Sequence, residues 1–246
     1  MKSDSDQPPP HLAAALAAAD AAHEVEPGIW RSDDADASIA QYDTIGGAYD
    51  SIAGLDLYHR LFWGTSTRTY CAFAEAAVAT CGAGTLLDAA CGSMLFTAQA
   101  HRANERGSAI GTDASLRMLR LARTRLGSSA RGVALVHANV LRSPFRSGAF
   151  DAVICMHVAH VLDDLSGLLA EMRRILKPGG KLFLTSLVLV DSWRDRYLRM
   201  LCRRGIMAPP RREEDVLAAV RMRFGAEPGA SINGSMLFVR VTKPQQ

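Results

Sequence analysis

The chain has 246 residues, 48% of them apolar and 22% charged, with a formal net charge of +3. This length suits one α/β domain with appendages, and the composition excludes wholesale disorder. So small an excess of cations is not the concentrated basic face of a nucleic-acid binder, so the expected partner is a small molecule and not a nucleic acid. The five cysteines (Cys71, Cys81, Cys91, Cys155, Cys202) form no C-x-x-C pair and read as reduced cysteines of a cytosolic protein. The first residues carry acids where a secretory signal would be basic. The longest apolar run, Leu182 to Val190, falls far short of the roughly 20 residues a membrane span requires. The expectation is a cytoplasmic chain with no integral membrane segment, as monomer or homodimer.

In chain order, residues 1–38 mix acids, serines, the Pro8-Pro9-Pro10 block and one Ala-rich helical candidate, a composition that predicts a flexible tail. Residues 39–80 show Tyr, Leu, Phe and Trp recurring at three and four, broken at Gly46-Gly47 and Gly64, which predicts two or three helices ahead of the first strand. From 81 to 246 the texture changes. "TLLDAA", "GSAIGTD", "GVALVHA", "FDAVICMHV" and "GGKLFLTSLVLV" are strand candidates, and "LFTAQAHRA", "SLRMLRLARTRLG" and "LSGLLAEMRRIL" between them have helical spacing. Such alternation predicts a parallel sheet with helices on both faces. A basic helical stretch "DSWRDRYLRMLCRRG" and a helix "EEDVLAAVRMRFG" follow. "ASINGSMLFVRVTK" then reads as two strands about Gly234, close enough in sequence to be antiparallel neighbours.

In an open parallel sheet, ligands sit at the carboxyl ends of the strands, so the turn after "TLLDAA" is the first place to look for a site. A dinucleotide fingerprint there needs G-x-G-x-x-G, but the chain reads Ala90, Cys91, Gly92, Ser93, Met94, Leu95. The acid Asp88 also precedes the turn. A carboxylate there repels a pyrophosphate and favours a cationic ligand, which argues against a nicotinamide-dependent dehydrogenase.

With Asp88 and Gly92 in "DAACGSM", the chain resembles the class I S-adenosylmethionine-dependent methyltransferases, in particular the ubiquinone/menaquinone-type C-methyltransferase and natural-product branch. That family's first motif runs acid, three residues, then G-x-G; here Ala90 and Met94 replace the flanking glycines. The match continues through "GTDASLRML" (Gly111 to Leu119), "SPFRSGAFDAVICMHVAHVLDD" (Ser143 to Asp164) and "EMRRILKPGGKLFL" (Glu171 to Leu184). The resemblance implies a Rossmann-like doubly wound seven-stranded sheet with the last strand antiparallel, residues 39–80 as a lid, and residues 81–246 as the core. It also implies S-adenosyl-L-methionine as cofactor, held by Tyr49, Asp88, Ala90, Gly92, Asp113, Ala114, Met118, Asn139, Val140 and Met156. Asp113, ending the second strand, can accept both ribose hydroxyls, with a helix-capping or turn role as the alternative. Asn139 stands where the family carries an aspartate for the adenine amino group.

Methyl transfer from a sulfonium needs alignment and exclusion of water more than acid–base work, but a phenol or acidic C–H acceptor gains from a base. His157 and His160 in "CMHVAHVLDD" fall just past the fourth strand and are the candidates, with Tyr49 beside the cofactor. Neither histidine belongs to a set with ligand spacing, so no metal is expected. Trp63, Trp193 and Tyr197 are candidates for lining an aromatic acceptor pocket, and the arginines from Arg194 to Arg223 for guiding an anionic or membrane-held substrate. The implied function is methylation of a small-molecule acceptor on oxygen or carbon, the alternative being a non-catalytic protein that binds the same cofactor for regulation or assembly.

Overall fold

The computed structural model describes residues 7–18, 20–33, 35, 54–127 and 132–245. Its elements are α1 (Pro10–Ala15), β1 (Ala22–Glu26), β2 (Ile29–Ser32), α2 (Asp56–Tyr58) running into a π-helical turn (His59–Trp63), and α3 (Thr67–Cys81). Then come β3 (Thr85–Ala89), α4 (Ala98–Ala103), β4 (Ser108–Asp113), α5 (Leu116–Leu126), β5 (Val133–His137) and β6 (Phe150–Cys155). The chain closes with α6 (Leu165–Ile175), β7 (Leu176–Leu189), α7 (Arg194–Arg203), β8 (Arg211–Arg212), α8 (Glu213–Phe224), β9 (Gly229–Asn233) and β10 (Met236–Thr242).

These strands form one sheet in the order β1-β2-β5-β4-β3-β6-β7-β10-β9, with β8 paired to β7. From β2 to β7 every pairing along that path is parallel, β10 runs antiparallel to β7, and β9 antiparallel to β10. The expected doubly wound sheet is therefore present, and its last strand is antiparallel as expected. It is larger than seven strands because β1, β2 and β8 join it. The direction in which strands are added reverses between β3 and β6: β3, β4 and β5 step one way, and β6 returns to lie beside β3. The crevice above their carboxyl ends is where such a sheet takes its ligand.

Burial explains the strands. Residues of β3 alternate: Leu87 and Ala89 face one helical layer and Leu86 the other, all at 1% exposure or less. Helices α6 and α8 cover the first face with Leu168, Leu169, Met172, Val216, Val220 and Phe224. On the second face, α3 packs Tyr70, Phe73 and Ala77 against Ile154, Phe183 and Phe238. Helix α5 has its own start and stop, since the Met118 amide donates to Ser115 Oγ at 3.2 Å and Gly127 takes a positive φ at the end. Its Leu119, Ala122 and Leu126 lock onto Ile29 and Leu135.

The flexible tail expected for residues 1–38 is corrected over α1, β1 and β2. The hairpin adds β2 in parallel beside β5, with Ile29 opposite Leu135. Leu12, Leu16, Ile29 and Trp30 are all 5% exposed or less. Backbone bonds from Ala17 to Pro144 and from Arg146 to Ala15 fasten α1, and Arg120 and Arg123 of α5 both pair with Glu26. Average composition hid a few large apolar side chains that find a ready sheet edge. No helix among the described residues is long and apolar enough to cross a membrane.

The helical segment before β3 is bound to the far end of the chain. Gly64 and Gly234, both at positive φ, meet backbone to backbone, and a Cβ on either would overlap the other's main chain. The Ser235 amide donates to the Trp63 carbonyl at 2.7 Å. The β9–β10 turn is thus a buttress for the π-helical turn that carries His59.

Candidate active site

Residues 90–97 leave β3 at the crevice in an irregular path before α4 begins. Ala90, Gly92 and Met94 take φ values of 53°, 54° and 54°, so left-handed backbone persists at positions 90 and 94 although neither is glycine. Each costs on the order of 1 kcal/mol or more in an L-residue. At Met94 the cost has an offset: the side chain is 1% exposed and packs in the cluster with Ala98, Leu119 and Leu135. It fits because Gly111 of β4 has no side chain; a Cβ there would overlap Met94 Cε. Above Gly92 a Cβ would meet nothing within 4 Å, so this part of the loop borders open space.

The loop is tied to the next strand tip. The Gly92 amide donates to Asp113 Oδ2 at 2.8 Å, the Ser115 amide to Asp113 Oδ1 at 2.9 Å, and the Cys91 amide to the Thr112 carbonyl at 2.8 Å. The Arg125 guanidinium of α5 also donates to the Ser93 carbonyl. Asp113 therefore serves the turn role considered as its alternative, while a carboxylate with about four lone-pair sites keeps acceptor capacity for a ligand.

Asp88, expected among the residues that hold the cofactor, is buried within the fold. Its carboxylate, 3% exposed, lies on the α3/α4 side of the sheet and pairs with His101 Nε2 of α4 at 3.0 Å, the imidazole being 1% exposed. The physical reason is the period of two along β3, which sends residue 88 to the face of Leu86. Burial, and then the charges of Asp88 and Asp113, hold the Cys91 thiol pKa well above its ordinary value.

Asn139, just past β5, accepts the Leu141 amide on Oδ1 at 2.9 Å, and its Nδ2 donors have no partner among the described residues. The expected role, a carbonyl facing an adenine amino group, is thus partly taken up by the backbone. The amide hydrogens are left for a ring nitrogen. Ala114 accepts His137 Nε2 on its carbonyl at 2.9 Å, Met118 is 5% exposed in the first turn of α5, Val140 packs against the core, and Met156 is 7% exposed at the end of β6. A carboxylate, an amide, open space over a glycine and apolar flanks fit a purine nucleoside. Tyr49, expected beside the cofactor, lies outside the described residues.

Beyond β6 the structure gathers a group that sequence reasoning saw only in part. His157 takes a φ of 62°, and its amide donates to Thr185 Oγ1 of β7 at 3.0 Å. Its ring lies 4.5 Å from Tyr70, 5.4 Å from Phe96, 6.4 Å from His59 and 6.2 Å from His160, centroid to centroid. Burial, then the neighbouring imidazoles His160 and His59, drives its pKa well below the usual histidine value, so it is neutral. His157 Nε2 is buried with no hydrogen-bond partner among the described residues. Such an orphan costs about 1–3 kcal/mol until something bonds to it.

His160 is committed to the scaffold. Its Nδ1 accepts the Leu187 amide at 3.2 Å and its carbonyl accepts the Ala208 amide at 3.1 Å. Burial and then the Arg211 charge lower its pKa to about 3. That guanidinium is itself held by the carbonyls of Ala159, Leu162 and Asp163 at 2.8–2.9 Å. The residues missed were His59, Tyr70 and Phe96; the available signal was a histidine inside the aromatic run "YHRLFW". Of the suggested pocket aromatics, the Trp63 and Tyr197 rings meet at 5.4 Å, whereas Trp193 is 52% exposed beside Arg194.

With this geometry in hand, comparison with known proteins is informative. Residues 87–184 match the family described as a methyltransferase domain. The ubiquinone/menaquinone biosynthesis C-methyltransferase UbiE of Desulfotalea psychrophila is 34% identical over 134 residues, covering 54% of this chain and 54% of that protein. The chain thus spans about half the length of this curated relative. Among solved structures, the [4+2]-cyclase SpnF superposes with a TM-score of 0.65 at 18% identity, over 84% of this chain and 95% of that one. The geranyl diphosphate C-methyltransferase of Streptomyces coelicolor, solved with Mg2+, geranyl diphosphate and S-adenosyl-L-homocysteine, gives 0.59 at 18% identity, over 73% and 77%. These last two likenesses establish the fold.

Proposed function

We propose that this chain, whose residues 87–184 match the methyltransferase-domain family, is a class I S-adenosylmethionine-dependent methyltransferase that transfers the cofactor's methyl group to oxygen or carbon of a small, hydroxylated aromatic or quinone-type acceptor. The observation that carries the reading is the junction of the Gly92 amide with the Asp113 carboxylate, beside open space at the switch point of the sheet.

Asp113 would accept the ribose hydroxyls, the Asn139 amide would meet the purine edge, and Met118, Val140 and Met156 would flank the nucleoside. The bound cofactor supplies a sulfonium methyl whose departure from sulfur needs no protonation. The protein's part is to hold an acceptor in line and keep water out. Of the two candidate histidines we assign His157 to this work, because its Nε2 is buried and has no partner among the described residues. A neutral imidazole there accepts a hydrogen bond from the acceptor's hydroxyl and orients it, while the partly exposed Phe96 beside it offers an aromatic face. Its depressed basicity suits orientation better than retention of the proton. Asp88 and His101 position the loop from beneath as a buried pair.

A second reading keeps cofactor binding without transfer. It draws on the non-glycine residues 90 and 94 in left-handed conformation, and on a cyclase among the proteins of this fold. Incubating the protein with methyl-labelled cofactor and a metabolite extract separates the two. A labelled small molecule supports transfer; cofactor binding with no labelled product supports the second reading.

A further inference from the structure

Five large apolar side chains stand exposed around α2, the π-helical turn and α7: Leu55 at 56%, Leu57 at 76%, Leu61 at 50%, Trp193 at 52% and Ile206 at 47%. Most of them share one rim. Tyr58 and Phe62 turn inward onto Tyr197 of α7, the two hydroxyls 3.0 Å apart and the Phe62 ring 4.5 Å away, which leaves Leu57 and Leu61 outward. Arg194 joins the two elements, since its Nε donates to the Leu61 carbonyl at 3.2 Å and its guanidinium lies 5.0 Å from the Trp193 ring.

The same rim is cationic. Arg196, Arg199 and Arg203 recur at three and four along α7, all exposed, and Arg204 follows. None of these four forms an ion pair among the described residues, whereas the nearby acids are engaged. Asp191 pairs with Arg212, Asp56 holds Arg60 and Thr67, and Asp195 is buried, accepting the amides of Val190 and Asp191. Because α7 follows β7 out of the carboxyl edge of the sheet, the rim lies on the side of the crevice.

We propose that this rim, Leu57, Leu61 and Trp193 with Arg196, Arg199 and Arg203, docks on an anionic lipid bilayer. Exposed leucine and tryptophan beside an unpaired arginine row is the arrangement that settles at a membrane interface, the rings and aliphatic chains at headgroup depth and the guanidiniums on lipid phosphates. A nucleic-acid backbone would use the arginines and leave Leu57 and Leu61 with no partner. The proposal does not depend on methyl transfer, and binding is read separately from it.

The test is co-sedimentation with vesicles of equal parts phosphatidylglycerol and phosphatidylcholine, against vesicles of phosphatidylcholine alone, with tryptophan emission followed in parallel. Trp30 and Trp63 are 3% and 7% exposed, so a blue shift reports Trp193. The expected result is sedimentation with the anionic vesicles, a blue shift, and loss of both on raising salt. Replacing Arg196, Arg199 and Arg203 together by Gln should weaken binding on the order of a hundredfold, at about fivefold per arginine. Leu57→Ala with Leu61→Ala should weaken it independently. Failure to sediment with anionic vesicles, or binding that both sets of variants leave unchanged, overturns the proposal. So does retention on duplex DNA with Trp193 emission unmoved by vesicles, which would assign the arginines to nucleic acid.

Discussion

At the scale of single residues, the loop after β3 carries two left-handed non-glycine residues whose costs are offset differently, and substitution separates them. Ala90 has little side chain to lose, so Ala90→Gly relieves strain of about 1 kcal/mol against a gain in unfolded-chain entropy of similar size, leaving stability unchanged or slightly raised. Met94→Gly relieves the same strain but empties a buried site, and truncation of a buried Met costs about 2–5 kcal/mol. Strain relief and unfolded-chain entropy cancel as at Ala90, so urea unfolding should show Met94→Gly destabilised by about 2–5 kcal/mol while Ala90→Gly holds or gains. At His157, replacement by Phe keeps the ring packing and removes the orphan nitrogen, so stability should hold or rise. If Nε2 orients the acceptor, turnover should fall by at least tenfold with cofactor affinity retained. His160→Ala should instead lower the unfolding midpoint, because it leaves the Leu187 amide unpaired.

Among elements, the N-terminal hairpin makes the sharpest claim. Trp30 is 3% exposed in the main core, so Trp30→Ala should cost about 3–5 kcal/mol, measured by urea unfolding. A flexible tail would show no change. Sequence periodicity made the alternating strands and helices from β3 to β10 legible, since buried parallel strands are continuous apolar runs and the helices between them carry leucines on one face. It failed at the hairpin because β2 is four residues long, and its burial depends on the edge of β5, distant in sequence. The strand tips bearing Asp88 and Asp113 were legible from the strand pattern, and Asn139 only from the resemblance to the methyltransferases. The partner of Asp88 was not, since pairing with His101 requires α4 to be packed on that face. Nor could spacing reveal that His59, on the π-helical turn, would meet His157 from beyond β6.

For the molecule as a whole, buried neutral imidazoles link folding to pH. His157 and His160 bind protons less readily folded than unfolded, with His160 lowered to about 3. Between the ordinary histidine pKa of about 6.5 and that lower value the unfolded chain holds more protons, so stability is fully present above about pH 6.5 and is lost as pH falls. The urea midpoint should drop steadily from pH 7 toward pH 4, and the drop should be smaller for His157→Phe. A midpoint flat across that range would mean these rings are not buried as described.

The account's central claim is that the carboxylate tying the β3 loop to the tip of β4 is where the nucleoside of S-adenosylmethionine is held. Calorimetric titration of the cofactor into wild-type protein and into Asp113→Ala tests this most directly. Saturable one-site binding by the wild type, weakened in the variant by about 1.5–3 kcal/mol, is the predicted result. Equal affinity in the two proteins, or no heat of binding in the wild type, would contradict it.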